Sequence, residues 1–114
     1  MILTFIAFLL FIVLFIINYF AVIYKYGFSR KTIKGFFKQT AIDVDRFGNH
    51  NFRTLLNLTL RQENGYEFGD FRETISSALG KNQRDKTLSK TGKIISDFLD
   101  FLDKNHCNKS IKEL

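Results

Sequence analysis

No proline occurs among the 114 residues, so turns have to be read from glycine, asparagine and aspartate alone. The single cysteine excludes an intramolecular disulfide. With two histidines it leaves at most three soft metal ligands: adjacent His106 and Cys107, and distant His50. None of these has the paired spacing of a zinc site. No acid appears before or within residues 25–38, and no side-chain charge precedes Lys25. The chain has no Gly/Ser linker, no heptad series and no internal repeat, which excludes coiled-coil and solenoid architectures. Its length leaves room for one small domain and one further element.

What is present at the start is a hydrophobic run. Residues 2–24, "ILTFIAFLLFIVLFIINYFAVIY", hold seventeen Val, Ile, Leu and Phe residues and no charge. As a helix they span roughly 34 Å, enough to cross a hydrocarbon core of about 30 Å with some tilt. The seventeen side chains supply on the order of 5 to 10 kcal/mol of insertion free energy. No polar stripe interrupts them, which points to lipid on all sides. A cleaved signal peptide needs a basic start, a shorter apolar core and an A-x-A-like site, and the segment has none of these. Residues 1–24 therefore read as a retained transmembrane helix, with Tyr19, Tyr24 and Tyr26 where interfacial aromatics gather.

Residues 25–38, "KYGFSRKTIKGFFK", carry Lys25, Arg30, Lys31, Lys34 and Lys38. They account for +5 of the chain's +6, and residues 39–114 balance twelve basic against eleven acidic side chains. A pI near 9.6 alone suggests a nucleic-acid binder. The location of the charge argues instead for contact with anionic headgroups, at roughly 1 kcal/mol per residue, and for retention on the cytoplasmic side. The expected topology is N-terminus out and C-terminal domain in, with nucleic acid an unlikely partner of that domain. On a helical wheel Ile33, Phe36 and Phe37 share a face beside the basic arc, so residues 25–40 suit an interfacial helix or a solvated basic linker.

Residues 41–114 read as a small three-helix domain, making the fold class all-α. Phe52, Leu55, Leu56 and Leu60 follow helical spacing, closed by Asn64 and Gly65. Asp70 followed by Glu73 is a capping-box spacing, and Phe71, Ile75 and Leu79 then predict an inward stripe closed by a left-handed Gly80. A third helix is expected from Thr87 or Ser89 to about Lys104, with Leu88, Ile94, Ile95, Phe98, Leu99 and Leu102 on its apolar side. The last residues predict a frayed turn.

Chemistry is sparse. Ser76 and Ser77, the histidines and several aspartates compose a serine triad on paper, but the serines are expected in mid-helix, without a strand-to-helix elbow. Lys90, Thr91 and Gly92 lack the S-x-x-K partner of penicillin-binding folds. Gly80-Lys81 and Gly92-Lys93 precede Asn82 and Ile94 rather than the Ser or Thr of a phosphate loop. No catalytic, cofactor-binding or metal-ligating residue is assigned, and no cofactor is expected.

"LLNLTLRQENGYEFGDFRETISSALGK" followed by "DFLDFLDKNHCNKSI" resembles a group of small proteins encoded by bacteriophages and prophages. The likeness covers residues 51–111 and rests on a leucine-rich helix, a Glu-Thr-Ile-Ser-Ser element and a closing His-Cys. Those elements are Glu73, Thr74, Ser76 and Ser77, and His106 and Cys107, in this chain. The group often has arginine where Ala78 stands, and a more compact turn before the glutamate. It has no established activity, so the resemblance implies a phage origin and transfers no catalytic residue. The expected role is a non-enzymatic, single-pass membrane protein, structural or interacting with membrane or capsid proteins or with itself, at a virion or host inner membrane. A holin-like lysis protein and a membrane-tethered enzyme are the alternatives. The recurrence of the motif residues implies a buried hydrogen-bond network ahead of a polar contact surface.

Overall fold

The computed structural model describes residues 1–114 and contains six α-helices and no strand. They are α1 (Ile2–Tyr26), α2 (Arg30–Asn51), α3 (Arg53–Thr59), α4 (Ile75–Arg84), α5 (Lys90–Leu102) and α6 (His106–Ser110). Contacts divide the chain into two compact units, Met1–Ala41 and Ile42–Leu114, so the division falls within α2.

In the first unit α1 is long and apolar enough to cross a membrane, and none of its residues is buried. It ends at Gly27, whose φ of 88° suits a residue without a Cβ and whose N–H donates to the Ile23 carbonyl. Ser29 then starts α2, its hydroxyl accepting from the Thr32 N–H at 3.2 Å. The basic segment is helical despite Gly35 and continues to Asn51, because neither proline nor a turn cluster stops it. Its aromatic face packs on α1: the Phe36 ring lies 5.5 Å from Phe15 and 5.4 Å from Tyr19, and Phe37 lies 6.0 Å from Tyr19.

In the second unit Leu60, Phe68, Ala78, Leu79, Leu88 and Cys107 form the core, with Leu56, Tyr66, Ile75, Ile95 and Leu99 packed against it. The three expected helices correspond to α3, α4 and α5, but α3 stops at Thr59 short of Asn64 and Gly65, and the end of α2 and all of α6 are additions. The helix expected after Asp70 differs in three respects. The capping box at Asp70 does not form: the N-cap is Thr74, which accepts from the Ser77 N–H, and α4 begins at Ile75. Gly80 does not close that helix in a left-handed turn. It lies inside α4, where a Cβ would overlap the Cys107 carbonyl, so glycine is there for close approach to α6. Phe71 is exposed rather than inward, since it precedes the helix instead of lying on it.

Of the two expected starts it is Ser89 that caps α5, accepting from the Gly92 N–H at 3.0 Å. Ile95 and Leu99 face the core, while Ile94, Phe98 and Leu102, expected on the same inward side, are exposed. The stretch between α3 and α4 has no ladder to satisfy its backbone beyond one isolated bridge, Arg61 to Leu88. Asparagine amides do that work. Asn57 accepts from the Phe68 N–H at 2.7 Å and donates to the Phe68 carbonyl at 3.0 Å. Asn82 accepts from the Tyr66 N–H at 2.8 Å and donates to the Tyr66 carbonyl at 2.9 Å. Asn49 accepts from the Gly69 N–H and donates to the carbonyls of Asp70 and Glu73.

Candidate functional site

The Asp70 carboxylate turns onto Arg72, accepting from its backbone N–H at 2.9 Å and its guanidinium at 2.7 Å. That contact holds the Asp70 carboxyl down to about 2. The tight turn so formed sends Glu73 inward. Its Oε1 accepts from the Tyr66 hydroxyl at 2.6 Å, and its Oε2 accepts from Ser77 Oγ at 2.7 Å and faces Lys81 Nζ at 2.9 Å. Glu73 is 1% and Lys81 3% exposed, so this ion pair is desolvated, and either charge alone would be costly. Lys81 Nζ also donates to the Tyr66 hydroxyl at 3.2 Å and lies 4.4 Å from the ring centroid. Burial pulls the Lys81 ammonium down, but Glu73 and Tyr66 outweigh it and its pKa is raised. The Tyr66 hydroxyl is raised too, by burial and then by Glu73.

Ser77 connects this cluster to the chain's last residues. Its hydroxyl accepts from the Lys112 N–H at 2.9 Å, and Ser110 Oγ donates to the His106 carbonyl at 2.7 Å. The tail expected to fray is therefore helix α6 followed by a pinned extension. Its order comes from α4, where Ser77 lies thirty-five residues before Lys112 and Ser76 thirty before His106.

Ser76 carries the second arm. Its Oγ lies 3.1 Å from His106 Nε2, and His106 Nδ1 lies 3.1 Å from Asp103 Oδ2. The serine, histidine and aspartate that composed a triad on paper thus come together in triad order, with the serine in the first turn of α4 rather than in mid-helix. The surroundings differ from a hydrolytic site. Asp45 on α2 accepts from the Ile75 N–H at 2.8 Å, and its other oxygen lies 3.5 Å from Ser76 Oγ. A carboxylate thus occupies the helix start, where an oxyanion would need free N–H donors. Burial raises the Asp45 pKa against the pull of the Ile75 and Ser76 hydrogen bonds. Ser76 itself is 5% exposed.

Cys107 is fully buried, its N–H donating to Asp100 Oδ1 at 3.0 Å. Burial, followed by the Asp100 carboxylate, pushes its thiol up to about 12, so it is a packing residue rather than a thiolate nucleophile. His50 has different partners, the Gly69 carbonyl and the Phe71 ring. No three of the chain's His, Cys, Asp and Glu residues are arranged to hold a metal.

The Glu-Thr-Ile-Ser-Ser and His-Cys elements, about thirty residues apart in sequence, face each other across the α4 and α6 contact. Ser76 bonds to His106, Ser77 to Lys112, and Cys107 packs on Gly80 across that contact, whereas Glu73 and Thr74 find their partners in Tyr66, Lys81 and Ser77. Ala78, where the resembling group often has arginine, is fully buried. The reading by spacing missed Asp45, Tyr66, Lys81 and the three asparagines. The available signal was asparagine inside helical stretches, where its propensity is low and a specific bond must compensate.

The basic residues are elsewhere. Lys25 lies in the last turn of α1, Arg30, Lys31, Lys34 and Lys38 lie on α2, and all five are exposed. Comparison with protein-family models, curated proteins and solved structures finds no match for this chain.

Proposed function

We propose that this chain is a phage-encoded, single-pass membrane protein that presents a small, rigid helical unit at a bilayer, as a structural or protein-interaction module without enzymatic activity. The bilayer is the host inner membrane or the internal membrane of a virion. The observation that carries the reading is α1: an apolar helix of 25 residues with none of its residues buried. An apolar helix of a soluble fold is buried in its core, whereas one in lipid leaves its whole surface outward. The exposed Lys25, Arg30, Lys31, Lys34 and Lys38 support contact with anionic headgroups and an N-terminus-out orientation.

The motif residues support a scaffold role, because every polar group they bring together bonds to another group of the same chain. Such a network specifies one conformation and so a constant outer surface for membrane or capsid partners, or for a second copy. The test is alkaline extraction of membranes from expressing cells, combined with C-terminal fusions to a cytoplasmic and to a periplasmic reporter. Retention in the membrane with activity of the cytoplasmic reporter alone is expected. Release into the soluble fraction, or activity of the periplasmic reporter, contradicts the anchor or its orientation. Photo-crosslinking in the native membrane then identifies the partner, and permeabilisation of the cell by residues 1–38 alone would replace this role with lysis.

A further inference from the structure

We infer that the outward face of α5 docks on the surface of an anionic bilayer, holding the helical unit down on the membrane in which the chain is anchored. The inference rests on the anchor reading above and adds a second, separate membrane contact.

α5 has two apolar faces. Ile95 and Leu99 pack against the core beside buried Gly92 and Ser96, which accounts for one. The other consists of Ile94, Phe98, Phe101 and Leu102, which are 69%, 60%, 85% and 65% exposed. Their spacing places them on adjoining turns as a continuous stripe. With roughly 150–250 Å² available per aromatic side chain, the patch reaches several hundred Å², a size that on a small soluble unit marks a binding surface.

Charge chooses the occupant. Lys90 and Lys93 precede the stripe and Lys104 follows it, all exposed, and Asp97 is the single acid on that flank. The carboxylates of Asp100 and Asp103 are turned away, onto Gln83 and the Cys107 N–H, and onto His106 and Lys109. A second copy would bring the same lysine excess against itself. A layer of anionic headgroups complements it, with the lysine stems lying along apolar surface and their ammonium groups among phosphates. Residues 27–41 join α1 to the second unit. Most of that connection is the first part of α2, and its covalent link to the anchored α1 makes docking an intramolecular event at high effective concentration.

The chain contains no tryptophan, so one introduced indole reports its own surroundings. Phe101→Trp is made in the full chain and reconstituted into vesicles of zwitterionic lipid with or without phosphatidylglycerol. Expected in the anionic vesicles are a blue-shifted emission and quenching by brominated acyl chains, both diminished in a Lys90→Glu, Lys93→Glu background and at high salt. Asn108→Trp, at an exposed polar position on α6, is expected to remain unquenched. A solvent-like emission from Phe101→Trp in anionic vesicles overturns the inference. So does a blue shift without quenching accompanied by crosslinks between copies, which assigns the face to self-association. Alkaline extraction of the same vesicles separates the two readings: release of a chain that had been quenched removes the anchor and leaves the docking, whereas retention with a solvent-exposed indole removes the docking and leaves the anchor.

Discussion

The first unit holds a large share of the chain's apolar residues and uses none of those on α1 to build a buried core, whereas the second buries as much polar as apolar chemistry. In α1, side chains such as Phe5, Leu10, Ile12 and Ile17 are about half exposed or more. In the second unit, Asn49, Glu73, Ser76, Ser77, Lys81, Asn82 and Ser96 are buried alongside Leu60, Phe68, Ala78, Leu79, Leu88 and Cys107. Hydrophobic content is therefore a poor guide to where this protein is held together. On the proposed membrane reading the apolar unit takes its free energy from the lipid around it, and the polar one takes its own from specific bonds that are costly when half broken.

The comparison predicts different failures. Glu73→Ala leaves the Lys81 ammonium buried without its carboxylate and is expected to cost about 3–5 kcal/mol, comparable to the whole stability of a unit this small. A lost or strongly lowered thermal transition by circular dichroism in detergent checks it. Glu73→Gln with Lys81→Met, which removes both charges, recovers much of the loss. In the other unit, Leu10→Lys is expected to cost about 3 kcal/mol of insertion. It lowers the membrane-retained fraction while leaving the transition of the second unit unchanged, and a shift in that transition would deny the separation.

Gly80→Ala forces α4 and α6 apart at the Cys107 carbonyl, at about 1–3 kcal/mol, read as a lowered midpoint and faster amide exchange in residues 106–112. Ser76→Ala removes the bond to His106 for about 1 kcal/mol. It is expected to leave the fold and the membrane role intact, whereas loss of function in a folded variant would restore the enzymatic alternative. A further effect, confined to alkaline pH, is a pH dependence. Cys107, Tyr66 and Lys81 all have raised pKa values in the fold, so each binds its proton more tightly folded than unfolded. Their contribution is complete below pH 9.0, the ordinary value for the thiol, and declines as pH rises toward about 12. A midpoint that falls over this range, and falls less in Cys107→Ala, checks the sign.

Much of the second unit was legible because local rules decided it. Ser89 before a periodic stretch specifies the start of α5, and the leucine spacing specifies α3. The start of α4 was misplaced because Asp70 and Glu73 have the capping-box spacing but better partners elsewhere: Arg72 two residues away for one, and Lys81, Tyr66 and Ser77 for the other. A spacing rule cannot weigh a local cap against a buried countercharge. The double face of α5 was hidden for a related reason, since periodicity marks apolar residues without showing which of them find a neighbour.

By itself the sequence determined an all-α chain, a helix at its start that is long and apolar enough to cross a membrane, and a basic segment directly after it. Each of these depends on the solvent and on residues a few positions apart. Only the tertiary structure decided that Ser76 and Ser77 meet His106 and Lys112, that Glu73 is buried against Tyr66 and Lys81, that Asp45 fills the start of α4, and that asparagines stand in for a ladder. Those contacts join groups up to thirty-five residues apart through directional bonds. Whether such a bond forms depends on how the rest of the chain closes around it, and no local pattern records that.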